Sequence, residues 1–182
     1  MKDLELRVII ELLKNSRRSD REIAKAIGVS QPTLSRTMKK LVGQGYIKEF
    51  TIVPDFSKLG FQVMSIILSN VKEKVIAKDI EESRTKIRRE EKENPNALLF
   101  GYSGIGPKSD RASILLSKDY SEYLAFTRRA KQHPLVDVES LQSFIIDLAD
   151  KSHYQPLTFS NVARYLEKRL EDIKHSGNTI AP

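Results

Sequence analysis

Between Lys14 and Lys40 the chain places Lys14, Arg17, Arg18, Arg21, Lys25, Arg36, Lys39 and Lys40 against only Asp20 and Glu22, eight charges against two and a net of +6. The whole 182-residue sequence carries +7, so nearly all of its surplus charge lies in this stretch. Closely spaced cations are what neutralising a polyanion requires: an arginine fork can pair with guanine N7 and O6, whereas a lysine ammonium suits phosphate. A solvated basic face is the plain alternative, and charge by itself leaves the two readings about even. Catalytic chemistry has less to work with. The absence of cysteine excludes disulfides, thiolate metal sites and cysteine nucleophiles. His133, His153 and His175 are scattered, and Asp55, Asp110 and Asp119 read as turn or cap residues rather than an acid–base set. No catalytic residue, metal ligand or cofactor is expected.

The elements that must position these cations are legible from local pattern. Leu6, Ile9, Ile10, Leu12 and Leu13 give a first helix over 3–15 an apolar stripe. Ser19 to Glu22 spells a capping box that opens a second helix, with Ile23, Ala24 and Ile27 inward and Gly28 suited to the left-handed helix end. Ser30 caps a third helix with Pro32 in its first turn, and Leu34, Met38, Leu41 and Val42 commit one face to the core. Pro32, Arg36, Lys39 and Lys40 then point away, with Thr33 at the margin. After Gly43-Gln44-Gly45, the run Tyr46 to Val53 is β-rich until Pro54 interrupts it. A second helix, a tight turn and an outward-facing third helix make a helix-turn-helix, whose third helix docks in the major groove. Expected DNA-binding residues are Arg17, Arg18, Arg21, Ser30, Gln31, Pro32, Thr33, Ser35, Arg36, Lys39 and Lys40.

The segment Arg18-Ser19-Asp20-Arg21-Glu22-Ile23-Ala24-Lys25-Ala26-Ile27-Gly28-Val29-Ser30, with Thr33 to Arg36, Leu41 to Lys48, Thr51 to Asp55 and Leu59-Gly60, resembles the Lrp/AsnC, or feast/famine, regulators of bacteria and archaea. The resemblance covers about a third of the chain. It implies a winged helix-turn-helix, a linker strand and a second, oligomerising domain.

The second half has its own pattern. Phe61 to Val71 carries apolar groups on both sides of a strand, and Lys72 to Asn94 reads as a mostly exposed helix with an Ile76, Ile80, Ile87 seam and a Glu82–Lys86 pair. Asn94-Pro95-Asn96 is a break. Strands over 97–102 and 112–117 flank the turn Gly104-Ile105-Gly106-Pro107, Asp119 opens a helix ending near His133-Pro134, and 136–148 is a fourth strand. The order β-α-β-β-α-β predicts an α+β chain whose second domain is a ferredoxin-like sandwich resembling the family's effector and oligomerisation (RAM-like) domain. Helices cover one face of such a sheet. The other, expected to hold Ile66, Leu68, Leu115 or their alternating neighbours, needs a second subunit.

Family members often carry Gly-Asp-Tyr-Asp near the amino-acid effector site, and here only Gly104, Gly106 and Asp110 correspond loosely; they are the candidate effector-binding residues, with a plain hairpin turn the favoured reading. Expected domains are 1–54, the winged helix-turn-helix with its linker strand; 55–150, the dimerisation domain; and 151–182, a helical extension whose 160–175 stretch packs through Val162, Leu166, Leu170 and Ile173. The function expected is a sequence-specific, DNA-binding transcription regulator, a homodimer or higher oligomer, open to a small-molecule effector and without membrane attachment. Siroheme decarboxylases resemble the same family in both domains and give an enzymatic alternative; a protein-interaction module is another. With charged residues at Lys2, Asp3, Glu5, Arg7 and Glu11 and no long apolar run, a cytoplasmic location is expected.

Overall fold

The computed structural model describes residues 2–71, 81–82, 85, 97–106, 108–133, 136–150, 152 and 156–176. Two compact units divide the chain: Met1–Val53 with Gln155–Pro182, and Pro54–Tyr154.

The first unit is helical: α1 (Asp3–Lys14), α2 (Asp20–Ile27), α3 (Gln31–Gly43) and α5 (Ser160–Ser176), α4 lying in the second unit. Its core joins Val8 of α1 to Ile23, Ala24 and Ile27 of α2 and Leu34 and Leu41 of α3. α1 is apolar around more than one stripe because helices pack on two of its sides. Leu4, Val8, Ile9 and Leu12 meet α2 and α3, while Leu6, Ile10 and Leu13 meet Ala163, Leu166 and Leu170 of α5. The segment the sequence sets apart at 151–182 thus supplies this unit with a fourth helix. Val42, expected in the core, is exposed, because it lies about 80° around α3 from Leu34 while Leu41 and Met38 stay closer. The β-rich run Tyr46 to Val53 forms no strand: no described segment pairs with it, and its Phe50 and Ile52 are exposed.

The second unit is a four-stranded antiparallel sheet of β1 (Val63–Val71), β2 (Ala97–Ser103), β3 (Arg111–Ser117) and β4 (Val136–Asp147), in the order β2-β3-β1-β4. α4 (Tyr120–Gln132), capped by Asp119, lies against β1, β3 and β4. The helix expected over 72–94, with Ile76, Ile80, Ile87 and the Glu82–Lys86 pair, falls largely outside the described residues, as do the break at 94–96, Pro107, Pro134 and His153.

Register assigns the faces. On the covered face Val63, Ser65 and Ile67 are buried, and Leu115 joins them because it stands opposite Ser65. Leu115 therefore does not belong to the open face on which it was expected. That face carries a row crossing all four strands, Phe100, Ile114, Ile66 and Phe144, bordered by Tyr102, Ala112, Leu68 and Gln142. Phe144 is 67 % exposed and Tyr102 64 %.

Candidate nucleic-acid interface

α2 and α3 are joined by a short turn whose chemistry is local. Gly28 takes φ 73°, its N–H reaching the Ala24 and Lys25 carbonyls, and Val29 N–H donates to Ala24 O at 2.9 Å. A residue with a Cβ would be strained there. Ser19 and Glu22 complete the capping box, the Glu22 carboxylate accepting the Ser19 N–H at 2.7 Å. Ser30 caps α3 by accepting Thr33 N–H at 3.4 Å, and the two hydroxyls meet at 2.8 Å. Pro32 occupies the first turn, where a missing N–H costs nothing.

The core pins α3 from behind, Leu34 and Leu41 being fully buried. Gln31, Pro32, Arg36 and Lys39 face out, with Thr33 and Ser35 half-buried beside them. Arg36 rests lightly on its own helix, Nε to Pro32 O at 3.4 Å. Arg17 and Arg21 are exposed near the start of α2. Among the described residues, no side-chain ion pair engages Arg17, Arg21, Arg36 or Lys39.

Two of the cations selected from sequence are occupied instead. Lys40 Nζ lies 2.5 Å from Glu5 Oε1, and Glu5 is buried, with its other oxygen accepting Lys2 N–H at 2.7 Å. The hydrogen bond from Lys40, with that from the Lys2 backbone, holds the Glu5 carboxyl below its ordinary value. Arg18 pairs through Nη1 with Glu11 and donates through Nη2 to Glu22 O at 3.1 Å. Burial pushes the Glu11 carboxyl up, but Lys14 and Arg18 outweigh it and leave it lowered. Sequence reasoning missed Glu5 and Glu11. Their only local signal is position: each sits among the apolar residues of α1, where a carboxylate needs a partner.

The candidate effector residues lie at the β2–β3 hairpin. Gly104 N–H donates to Asp110 O at 2.8 Å and Gly106 N–H to Ser109 O at 2.9 Å. A Cβ on Gly106 would meet that Ser109 oxygen at 2.9 Å, so this glycine serves the turn. Asn70 at the end of β1 moors the loop, donating to Lys108 O at 3.0 Å and accepting Asp110 N–H at 2.7 Å. The Asp110 carboxylate remains exposed, 3.9 Å from Arg111 Nε. His133 ends α4. Among the described residues no group of three or more His, Cys, Asp or Glu could hold a metal ion, and no helix is long and apolar enough to cross a membrane.

Residues 1–48 match a protein family described as winged helix-turn-helix DNA-binding. The transcriptional regulator LrpC of Bacillus subtilis is 38 % identical over 69 residues, 38 % of this chain and 48 % of LrpC. An uncharacterized HTH-type transcriptional regulator of Pyrococcus furiosus is 38 % identical over 65 residues, 36 % of this chain and 44 % of that protein. The chain thus spans about half the length of the curated relatives it matches. In fold the likeness runs further. The LrpC structure superposes with a TM-score of 0.64 at 23 % identity, covering 85 % of this chain and 99 % of LrpC. A transcriptional regulator of Neisseria meningitidis, solved as a complex with L-Met, does so with 0.66 at 15 % identity, covering 89 % and 99 %. In the sequence of its helix-turn-helix and in its α+β fold, this chain resembles the Lrp/AsnC transcriptional regulators.

Proposed function

We propose that the chain is a sequence-specific DNA-binding transcription regulator of the Lrp/AsnC type, working as a homodimer or higher oligomer under the influence of a small molecule. The observation that carries this reading is α3, fully seated in its core on one side and presenting Gln31, Pro32, Arg36 and Lys39 on the other, with Arg17 and Arg21 exposed nearby. Arg36 is assigned to a base edge, and Arg17, Arg21 and Lys39 to phosphate; Ser30, Thr33 and Ser35 set the helix start and approach the backbone. Lys40 and Arg18 are reassigned to holding the helices together. A second copy covering the row Phe100, Ile114, Ile66 and Phe144 completes the sheet, since an apolar face of this extent is costly in water.

A small-molecule influence is supported by the L-Met complex of the Neisseria meningitidis relative. The candidate place is the β2–β3 loop of Gly104, Gly106 and Asp110, the glycines shaping its turn and the exposed Asp110 carboxylate, 3.9 Å from Arg111 Nε, offering the polar contact. Calorimetry against the twenty amino acids tests this, and heat lost on Asp110→Asn locates the site. The relatives are named as transcriptional regulators, which supports binding rather than catalysis. Selection of bound fragments from genomic DNA tests the reading as a whole: one enriched sequence is expected, shifted by the protein at lower concentration than scrambled duplex. Equal affinity for all fragments, or a tetrapyrrole absorbance band in purified protein, would reject it.

A further inference from the structure

We propose that Glu11 is a positioning residue for the DNA-binding helices, and that the C-terminal helix α5 acts on them through it. This rests on the DNA-binding reading and goes beyond it. Four charged side chains of alternating sign run across the helical unit. Glu167 of α5 meets Lys14 Nζ at 2.5 Å, Lys14 meets Glu11 at 2.8 Å, and Glu11 pairs through its other oxygen with Arg18. Arg18 ends the chain by donating to the Glu22 carbonyl in the first turn of α2.

The geometry gives this chain a mechanical consequence. Glu11 is 12 % exposed at its side chain, so its ion pairs are screened less than ordinary surface pairs. Both arms of the Arg18 fork are used, one on α1 and one on the α2 backbone, which fixes the first turn of α2 against α1. α2 is coupled to α3 by the tight turn at Gly28, so the position of α2 sets that of α3. At the far end α5 is seated by Ala163, Leu166 and Leu170 on Leu6, Ile10 and Leu13. Its Glu167, Leu170 and Glu171 also line a cleft of about 210 Å³ with Ala26 and Ile27 at the end of α2. Seating α5 therefore fixes Lys14, Lys14 orients Glu11, and Glu11 holds Arg18.

A competing arrangement uses the same atoms: Arg18 is a phosphate ligand that Glu11 withholds from DNA. The two differ in sign. If Glu11 withholds Arg18, Glu11→Gln tightens DNA binding; if Glu11 positions α2, the same change weakens binding although it removes a negative charge.

The test uses the full chain, with Glu11→Gln, Arg18→Ala, Glu167→Gln and the Arg18→Ala/Glu167→Gln double variant titrated against selected and scrambled duplex at several salt concentrations. All are assayed well below their melting temperatures, so the folded fraction is constant. Glu11→Gln is expected to weaken both duplexes roughly three- to tenfold with an unchanged slope of log K against log salt. Glu167→Gln is expected to cost less in the Arg18→Ala background than alone, because the described ion pairs link the two residues through Lys14 and Glu11. Tighter binding by Glu11→Gln, a slope reduced by about one in Arg18→Ala, or strict additivity of the double variant would overturn the proposal. If the wild-type chain binds no duplex, the DNA reading fails by itself. The Arg18/Glu167 cycle is then read in thermal unfolding, where coupling supports the relay and additivity rejects it.

Discussion

The helical unit and the sheet solve the burial problem differently. In the first, α1 is apolar on two sides and both are covered, by α2 and α3 and by α5, so the apolar side chains of α1 are spent inside the unit. α3 is left with an outer face of arginine, lysine and small polar groups. In the sheet, β1 is apolar on both sides, and on the side away from α4 the row Phe100, Ile114, Ile66 and Phe144 crosses the strands with Phe144 and Phe100 exposed. A helix buries a stripe and can be enclosed by two or three neighbours; a sheet has two broad faces, and helices on one leave the other unsatisfied. One unit thus offers a charged surface, and the other an apolar one, to which the proposal above assigns a second copy. The cations within the helical unit divide again, Arg36 and Lys39 facing outward while Lys40 is tied to the buried Glu5 and Arg18 to the half-buried Glu11.

The sharpest break in this contrast comes from placing charge on the open sheet face. Ile66→Asp with Phe144→Asp should cost an oligomer about 3–5 kcal/mol per buried unpaired carboxylate and yield a monomer at micromolar concentration. Sedimentation velocity reads this, and an unchanged oligomer would mean the row is not the contact. On the charged surface, Arg36→Ala should lose roughly 1–3 kcal/mol of preference for the selected duplex and little on scrambled DNA. Equal losses on both would move Arg36 to the backbone.

A smaller effect separates the two kinds of lysine. Lys39→Ala should weaken both duplexes and lower the salt slope by about one, whereas Lys40→Ala should leave the slope alone because its ammonium is held by Glu5. A reduced slope for Lys40→Ala would show that the Glu5 pair opens on DNA.

The slightest effect is in acid. Glu5 and Glu11 are both lowered from the ordinary carboxyl value of 4.5, so the stability they contribute is fully present above that value and lost as pH falls through their lower folded values. Melting curves from pH 7 down to about 3 should show a shallower acid loss in Glu5→Gln and Glu11→Gln than in the wild type. Parallel curves would show that neither pair links to folding.

Much of this architecture was legible because it is decided by near neighbours. The Ser19-x-x-Glu22 box, the Gly28 turn, the Ser30 cap with Pro32 after it, and the four strands with a helix between the last two each follow from hydrogen bonds or periodicity within a few residues, whereas the β-rich run Tyr46 to Val53 found no strand to pair with among the described residues. Periodicity also assigned Arg36 and Lys39 to the outside of α3. Tertiary structure alone decided the rest. The sequence could not say that Leu115 would face the covered side, because side chains alternate along a strand and only the pairing with Ser65 sets the phase. Nor could it seat α5 on α1, although the double apolar stripe of α1 was the trace of that contact. Lys40 looked like Lys39 because both project from the same helix face. What separates them is Glu5, 35 residues away and brought within 2.5 Å only by the packing of α1 against α3. Local rules determine which way a side chain points, and the choice of partner waits on which elements the closed core brings together.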